Sequence, residues 1–438
     1  MNAQTHSPDL DAQDAVRSST ECPNNLQCAS IKKGLVWTRT IQFLSLTLLF
    51  INVVALPLFY YRSYHPDFHT VHNFGRAFLE GKDVYSGGNP YLPSSMLLWA
   101  AFALFEKPTG WVLFKIVTIG VACGTLVLVY RLCYEKLSLP AAVTWLCLLH
   151  IGLLAGFTAK SGNPGNIAAP LAVMGALFVI LQKPHSAGIA IGLSLALKYP
   201  LALPIILVLA FGRHTRPTIL AIAIFATFNI LATGWLMLTG HDVSKVPHSV
   251  LAGVSHVGGY DESGFHGWFS ANTRGKYSTL AAIAFFNTLG IDRTTAHTLS
   301  LGLLFSVTIL ACYVAAVRKD GVLISLAILA PAFLTFTYHR YYDSALLAFP
   351  ILLAWTVAVR GIGLTWIGSV LTLFMSLFLL RSLSYNLVYR FGASSAFLQG
   401  PLYNFVLGPL HIYALFMAIA FGLYYAVCVR TRALYEIP

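Results

Sequence analysis

Long apolar runs separated by short polar segments dominate the chain. Runs of about 20 apolar residues, the length that an α-helix needs to cross roughly 30 Å of hydrocarbon, recur between residues 41 and 429. A chain within lipid has to satisfy its backbone hydrogen bonds internally, and an α-helix does so within each segment. The pattern therefore predicts an all-α polytopic membrane protein.

The spacing of the runs predicts about 12 transmembrane helices. Two further segments, around residues 70–80 and 94–105, are too short to span, and we expect them to form juxtamembrane helices in the first outer loop. The predicted spans are 41–61, 111–132, 139–158, 166–182, 186–197, 201–211, 217–239, 297–317, 321–337, 344–359, 363–380 and 408–429.

Composition agrees with a membrane protein and explains the charge. Of the 438 residues, 57% are hydrophobic and 10% are charged, which excludes an ordinary soluble globular protein. The formal net charge of +12 could indicate a nucleic-acid partner, but the basic residues are distributed over the loops between the predicted spans. That distribution is typical of the positive-inside bias, so we expect no nucleic-acid partner.

Basic residues also predict the orientation of the chain. Lys32, Lys33 and Arg39 precede the first run and favour a cytoplasmic N-terminus. With an even number of spans, the C-terminus is cytoplasmic too. The predicted organisation is a disordered cytoplasmic tail (1–35) and a single transmembrane domain (36–438) with outer loops 62–110, 240–296 and 382–407.

The first polar segment, residues 64–93, is the most informative part of the sequence. Asp67 lies just after the first run and is followed by Phe68 and His69. Ionisable residues are costly near a membrane, so an acid at the end of a span is a candidate functional residue. The alternative is that Asp67 only caps a short helix, since a helical segment follows it.

Lys198 interrupts an apolar region in the segment GLSLALKYPLALPIIL. The runs on either side are short, and Pro200 breaks the helix, which predicts a discontinuous helix with a cation at the break. Such a break suits an anionic phosphate. The alternative is a lysine whose ammonium reaches the lipid headgroups.

A turn of glycines, asparagines and proline, GNPGN, joins two predicted spans. Its amides could line a polar pocket through Asn163 and Asn166, and Asn166 could cap the helix that follows. An ordinary outer turn explains the same residues.

Two further groups carry possible chemistry. Tyr338, His339, Arg340 and Asp343 lie at an outer junction of two spans, where His339 and Arg340 could bind a phosphate and Asp343 could orient one of them. Tyrosine alone is normal at a membrane interface.

The long outer loop contains Tyr260 and Trp268, which could stack on a sugar ring. The histidines of this loop match no zinc-binding spacing, and the chain has no acidic metal cluster. We therefore expect neither a metal nor another cofactor.

An ordered set of segments links these features. It comprises Asp67-Phe68, GRAFLEGKDVY, a short apolar piece after Pro93, the GNPGN turn, GIAIGLSLALKYPLALP and a span that ends at TYHRYYD. The set resembles the integral-membrane glycosyltransferases of the GT-C class, and most of all glycosyltransferase family 87. That family includes polyprenyl-phosphate-mannose-dependent α-mannosyltransferases and related arabinofuranosyltransferases of bacterial envelopes. The resemblance extends from about residue 41 to the last span.

The resemblance implies that Asp67 is the general base and that Lys198 and His339 belong to the donor site. It implies an inverting transfer of a sugar, with mannose favoured, from a polyprenyl-phosphate donor to a glycolipid or glycan acceptor. The site would face outward from a bacterial cytoplasmic membrane, among its lipids. Two motifs depart from the family: Pro200 follows Lys198 after one residue where the family has a Lys-x-x-Pro-like segment, and GNPGN replaces a Gly-Gln-x-Asn turn.

Reaction chemistry agrees with this interpretation. A lipid phosphate leaves as a dianion, which cations stabilise, and an acceptor hydroxyl needs one carboxylate as its base. The rival class is a transporter or lipid-linked sugar flippase, because broken helices and buried charges also mark substrate paths. Polar residues gather on one predicted face and no inverted repeat is evident, which favours a transferase. The sequence leaves mannose and arabinose donors open.

Overall fold

The computed structural model describes residues 25–60, 66–85, 89–158, 162–257, 282–337, 341–361, 364–379 and 400–429. Every regular element in these ranges is helical. The helices of the first half are α1 (Asn25–Leu49), α2 (Pro66–Leu79), α3 (Pro93–Ala103), α4 (Lys107–Arg131), α5 (Ala141–Thr158), α6 (Gly165–Ile180), α7 (Pro184–Lys198), α8 (Leu203–Phe211) and α9 (Thr215–Leu238). Those of the second half are α10 (Val246–Val257), α11 (Ile283–Thr288), α12 (Arg293–Val317), α13 (Gly321–Phe336), α14 (Ala348–Arg360), α15 (Thr365–Ser376) and α16 (Leu410–Cys428).

Shorter segments of other helix types extend or join these elements. They are the π-helical segments Phe50–Tyr60, Leu132–Lys136 and Tyr403–Leu407, and the 3-10 segments Tyr199–Leu201, Val243–Lys245, Tyr341–Leu347 and Leu377–Leu379.

Six helices of the described chain are long and apolar enough to cross a membrane. They are Gly34–Phe59, Lys107–Lys136, Thr215–Leu238, Thr294–Val317, Asp343–Arg360 and Tyr403–Cys428. A seventh is added if α7 and α8 form one broken span. The all-helical membrane architecture is thus confirmed, whereas the count of about 12 spans stays a prediction.

Several predicted spans correspond to shorter helices. Helices α6 and α13 have 16 residues each, or roughly 24 Å at 1.5 Å per residue. Both are buried along most of their length, whereas the buried residues of α9 are Pro217, Thr218, Ala221, Ala232 and Leu236. Helices α6 and α13 therefore lie in the interior of the bundle, and α9 presents apolar surface to lipid.

The two predicted short helices after the first span are present as α2 and α3. Pro93 starts α3 at a position where its missing N–H costs nothing. Helix α1 begins at Asn25, inside the region predicted as a tail. Residues 1–24 lie outside the described residues.

The chain bends by 118° between α7 and α8. Lys198 ends α7 with φ −157° and ψ 82°, which are not helical angles, and Pro200 cannot donate the backbone hydrogen bond that would continue the helix. The predicted break at Lys198 is confirmed, and it places this lysine at the apex between two helices.

Basic residues connect other helices at the end of the bundle that lies away from Asp343. The Arg360 guanidinium at the end of α14 donates to the Leu137 carbonyl at 3.2 Å. Arg318 pairs with Asp320 at 2.9 Å and donates to the Val429 carbonyl after α16. Because α14 has Asp343 before its start and Arg360 at its end, these contacts lie roughly 25 Å from Asp343 along the helix axis.

Glycines allow α7 to pack closely on α9. A Cβ added at Gly188 would lie 2.7 Å from the Leu220 Cβ, and one added at Gly192 would lie 2.8 Å from the Ile224 Cβ. The four-residue spacing puts both glycines on one face of α7, as in other close helix contacts within membranes. This packing holds the helix whose end carries Lys198.

We expect Gly192→Ala to destabilise the protein by about 1–3 kcal/mol, since the methyl group has to push α7 away from α9. Gly234→Ala is the matched control, because a Cβ there meets nothing within 4 Å. Thermal unfolding of the purified protein measures the difference. Equal unfolding temperatures for the two variants would contradict the packing described for α7 and α9.

Candidate active site

The Asp67 carboxylate is held by an amide that lies far away in the sequence. Asn163 Nδ2 donates to Asp67 Oδ2 at 3.1 Å, and the two residues are 96 positions apart. Asn163 Oδ1 accepts from the Gly165 backbone N–H at 2.9 Å. Because the oxygen of the amide faces that N–H, the NH₂ group has to face Asp67. The network therefore presents a donor to the Asp67 carboxylate.

Close packing explains why the GNPGN turn reaches Asp67. Gly162 has φ +67°, and a Cβ there would lie 2.8 Å from the Phe68 Cβ and 3.0 Å from the Trp111 ring. Only glycine fits both the backbone conformation and this approach. Phe68 is fully buried, and its ring lies 5.0 Å from that of Trp111 and 5.5 Å from that of Phe114. Phe68 thus anchors the start of α2, which fixes Asp67 beside the turn.

Lys198 forms a buried ion pair with Asp343. Its ammonium lies 3.0 Å from Oδ1 and 3.1 Å from Oδ2 of Asp343. The Asp343 side chain is 1% exposed and that of Lys198 is 15% exposed. The pair joins the break after α7 to the 3-10 turn before α14. The carboxylate therefore orients Lys198. The predicted contact of Asp343 with His339 or Arg340 involves residues outside the described ranges and stays a prediction.

Two serines of α3 support the broken helix. Ser94 Oγ donates to the Ala196 carbonyl at 3.0 Å, and Ser95 Oγ lies 3.0 Å from the Leu197 carbonyl. The last carbonyls of a helix have no partner within that helix, so side-chain donors satisfy them. Helix α3 thereby holds the backbone immediately before Lys198.

Asn163 and Lys198 lie at a similar position along the axes of α6 and α7. Ser194 Oγ of α7 donates to the Ala168 carbonyl of α6 at 2.7 Å. Asn163 precedes Ala168 by five residues, and Lys198 follows Ser194 by four. Because α6 and α7 are antiparallel, both residues lie roughly 6–8 Å from this hydrogen bond in the same direction. The Asp67 network and the ion pair therefore share one end of the bundle.

Other predicted site residues have different surroundings. His69 is exposed, and its Nδ1 accepts from the Lys107 ammonium at 3.1 Å. The prediction that Asn166 caps α6 is wrong, because α6 begins at Gly165 and Asn163 provides the side-chain acceptor for its first N–H. Tyr338, His339, Arg340, Tyr260 and Trp268 lie outside the described residues.

Sequence reasoning missed the supporting role of Ser94 and Ser95 and also missed Lys115. The Lys115 ammonium is buried within α4, donates to the Leu58 carbonyl at 3.2 Å and lies 5.4 Å from the centre of the Trp111 ring. A lysine inside a predicted span was the available signal, since such a residue needs a partner. The serines had no comparable signal.

The described residues contain no group of three or more histidine, cysteine, aspartate or glutamate side chains arranged to hold a metal ion. The arrangement instead offers one positioned carboxylate, an amide donor and a buried cation at the same end of the bundle. A carboxylate can remove a proton, and a cation can stabilise an anionic leaving group.

Comparison with protein families identifies the class of enzyme. The model of glycosyltransferase family 87 matches residues 89–338, which is 250 of the 438 residues. The chain belongs to glycosyltransferase family 87. It is therefore a membrane glycosyltransferase, as the sequence resemblance predicted. No curated protein and no solved structure shows a significant match to the chain.

The region matched by the family 87 model contains Asn163 and Lys198 but not every candidate residue. Asp67 precedes its first residue, and His339 and Asp343 follow its last. The family match therefore assigns no role in this family 87 glycosyltransferase to these three residues.

We expect the ion pair of the family 87 glycosyltransferase to show strong energetic coupling. Lys198→Met should destabilise by about 3–5 kcal/mol, because it removes the cation from a buried carboxylate, and Asp343→Leu added to it should recover part of the loss. Arg131 and Glu135 form an exposed control pair at 2.7 Å, for which we expect at most about 1 kcal/mol of coupling. Unfolding of single and double variants measures both couplings, and equally small values would contradict a buried pair.

Acid should destabilise the protein through His72. This residue of α2 is buried, lies 5.8 Å from the Phe68 ring and donates through Nε2 to the Phe105 carbonyl at 3.1 Å. Burial lowers the pKa of His72 from its ordinary value of 6.5, against the raising effect of the hydrogen bond. The stability that neutral His72 provides is thus fully present above pH 6.5 and is lost as pH falls through its lower folded-state pKa.

His72→Gln is the matched variant, since an amide can still donate to Phe105 and carries no titratable charge. As the pH is lowered from about 7 to about 5, we expect the unfolding temperature of this variant to fall less than that of the parent. An identical pH dependence in the parent and this variant would contradict the role of His72.

Proposed function

We propose that the protein is an inverting glycosyltransferase that moves a sugar, with mannose favoured, from a polyprenyl-phosphate donor to a hydroxyl of a glycolipid or glycan acceptor. The observation that carries the proposal is the hydrogen bond of 3.1 Å between Asn163 Nδ2 and Asp67 Oδ2. It holds a carboxylate in place within a family 87 glycosyltransferase. An arabinofuranosyl donor is the alternative within the same reaction class.

Asp67 is the general base in this proposal. It takes the proton of the acceptor hydroxyl while the hydroxyl oxygen attacks the anomeric carbon from the face opposite the phosphate. The bond from the anomeric carbon to the phosphate oxygen breaks, and the lipid leaves as a phosphate dianion. One carboxylate is enough because no glycosyl-enzyme intermediate forms, in contrast to the two carboxylates of a retaining glycosidase.

Asn163 supports this role because it restricts the orientation of the carboxylate. The amide itself is fixed by the Gly165 N–H, and the Phe68 ring fixes the backbone beside Asp67. A base that is already oriented loses less conformational freedom when the acceptor hydroxyl arrives.

Lys198, His339 and Arg340 hold the donor phosphate. Asp343 compensates the charge of Lys198 in the ion pair, so further cations are needed to balance a phosphate dianion. Arg340 and His339 precede Asp343 by only three and four residues, which supports their assignment to the same phosphate. Each such contact stabilises the transition state by about 2–4 kcal/mol. The remaining contacts to the sugars are assigned to His69, Asn166, Tyr338, Tyr260 and Trp268.

The site faces the outer side of a bacterial cytoplasmic membrane. Arg318 and Arg360 support this assignment, because their contacts with Val429 and Leu137 lie at the end of the bundle opposite to Asp343. Basic residues are enriched on the cytoplasmic side. The outer side is where a polyprenyl-phosphate sugar and an envelope acceptor can meet.

A lipid-linked sugar flippase is the second candidate, because a helix bent by 118° with a charged residue at the break also marks substrate paths. A panel of polyprenyl-phosphate sugars separates the two functions. A transferase releases free polyprenyl phosphate when an acceptor is present, whereas a flippase moves the intact lipid between leaflets without breaking a bond.

We expect Asp67→Asn to reduce sugar transfer by about 10²–10⁴-fold, since the amide keeps the shape of the side chain and removes its basicity. Donor affinity and thermal unfolding should stay close to those of the parent. Glu106→Gln is the control, because Glu106 is an exposed acid at the start of α4. The assay measures release of free lipid phosphate from the purified enzyme.

If Asp67→Asn transfers sugar at a rate within a few-fold of the parent rate, another acid acts as the base. Asp67 would then only cap the helix that follows it. Equal losses in Asp67→Asn and Glu106→Gln would indicate a general effect of removing charge.

A further inference from the structure

A polar cavity lies at the opposite end of α2 from Asp67. It has a volume of ≈ 60 Å³, and its polar lining consists of Asp83, Tyr85, His241, Asp242 and Lys245. We call it the distal cavity. The length of α2 between the two sites is roughly 18 Å, from 12 residues at 1.5 Å each.

Side-chain donors fix one wall of the distal cavity to the other. Trp235 Nε1 donates to the Phe78 carbonyl at 2.8 Å, and His241 Nε2 donates to the Gly81 carbonyl at 2.9 Å. Gly81 has φ +63°, and a Cβ added there would lie 3.0 Å from Thr239. The end of α9 is thus held against the turn that follows α2.

A buried serine makes the same connection on the other side of the cavity. Ser249 Oγ donates to the Tyr85 carbonyl at 2.6 Å and accepts from the Asn89 backbone N–H at 3.1 Å. Ser249 is 5% exposed, so these hydrogen bonds are shielded from water. The walls of the cavity are therefore formed before any ligand arrives, which reduces the entropic cost of binding.

The cavity presents mainly hydrogen-bond acceptors. His241 uses Nε2–H for Gly81, so Nδ1 of the neutral imidazole is an acceptor. Asp83 Oδ1 accepts from the Tyr85 N–H at 2.8 Å, and Oδ2 of the same carboxylate is a further acceptor. Asp242 Oδ1 accepts from the N–H and the hydroxyl of Ser244.

Charge excludes several ligand classes. Two carboxylates, Asp83 and Asp242, face one ammonium, Lys245, which lies 3.6 Å from Asp242. Hydrogen bonds from Ser244 lower the pKa of Asp242, so it is ionised at neutral pH. The net negative charge opposes a phosphate headgroup, and the described residues form no metal-binding group. A neutral molecule with several hydroxyl groups fits this cavity, because its hydroxyls can donate to the acceptor atoms and accept from the Lys245 ammonium.

We propose that the distal cavity binds a neutral sugar residue of the acceptor, remote from the hydroxyl that reacts at Asp67. This inference rests on the proposed function. It identifies the acceptor as a glycan of several sugar residues, because a single sugar cannot extend along α2 from one site to the other. Carboxylate acceptors give the strongest hydrogen bonds to sugar hydroxyls.

Direct binding tests the inference without any transfer reaction. The purified full-length protein is titrated with mannotriose, arabinofuranotriose and glycerol phosphate, and binding is followed by saturation-transfer NMR. The variants are Asp83→Asn and Asp242→Asn, which keep the acceptor oxygen used by the backbone. Glu80→Gln is the matched control, since Glu80 is an exposed acid of the same region outside the lining of the cavity.

We expect one of the trisaccharides to bind, and each aspartate variant to weaken that binding at least about tenfold. Glu80→Gln should bind like the parent, and the unfolding temperatures of all variants should agree. Binding of neither trisaccharide, equal binding by parent and aspartate variants, or equal binding of glycerol phosphate would overturn the inference. Sugar binding that depends on both aspartates in a protein that releases no lipid phosphate would reject the proposed function alone.

Discussion

The structure depends on the contact between the start of α2 and the GNPGN turn. Asn163 orients the carboxylate of Asp67 through a hydrogen bond of 3.1 Å, and Asn163 can reach it because Gly162 has no Cβ to collide with Phe68. Phe68 is buried against α4, so the polar contact is built on an apolar one. A substitution at this glycine would therefore move a functional group without removing it.

Short interior helices determine where polar chemistry can exist. Helices α6 and α13 are shorter than a full membrane crossing, and α7 ends at a break. Their ends leave room within the bundle for the Asp67 network and for the ion pair between Lys198 and Asp343. Longer helices such as α9 carry apolar surface that faces lipid. Because these short helices end inside the bundle, Asp67, Lys198 and Asp343 can lie at the same end of it, although only 10% of the residues are charged.

Local sequence patterns predicted much of the fold, because apolar runs and prolines report directly on helices and breaks. They identified α2 and α3, the break at Lys198 and the isolated acid Asp67. They could not predict the partner of Lys198, because Asp343 is 145 residues away and the pairing depends on how the break after α7 meets the 3-10 turn before α14. The hydrogen bond from Ser95 to the Leu197 carbonyl could not be predicted either, because it joins residues 102 positions apart and the sequence around Ser95 does not indicate a partner in α7. The number of spans does not follow from the same patterns, because interior helices such as α6 and α13 are apolar like spans but shorter.

The configuration of the first product tests the central claim most directly. The purified enzyme is supplied with a polyprenyl-phosphate sugar of known anomeric configuration, and the new glycosidic bond is determined by NMR before any side reaction accumulates. A single displacement with Asp67 as base predicts complete inversion. Retention would require a second nucleophile and a covalent intermediate, and it would contradict the account of this site.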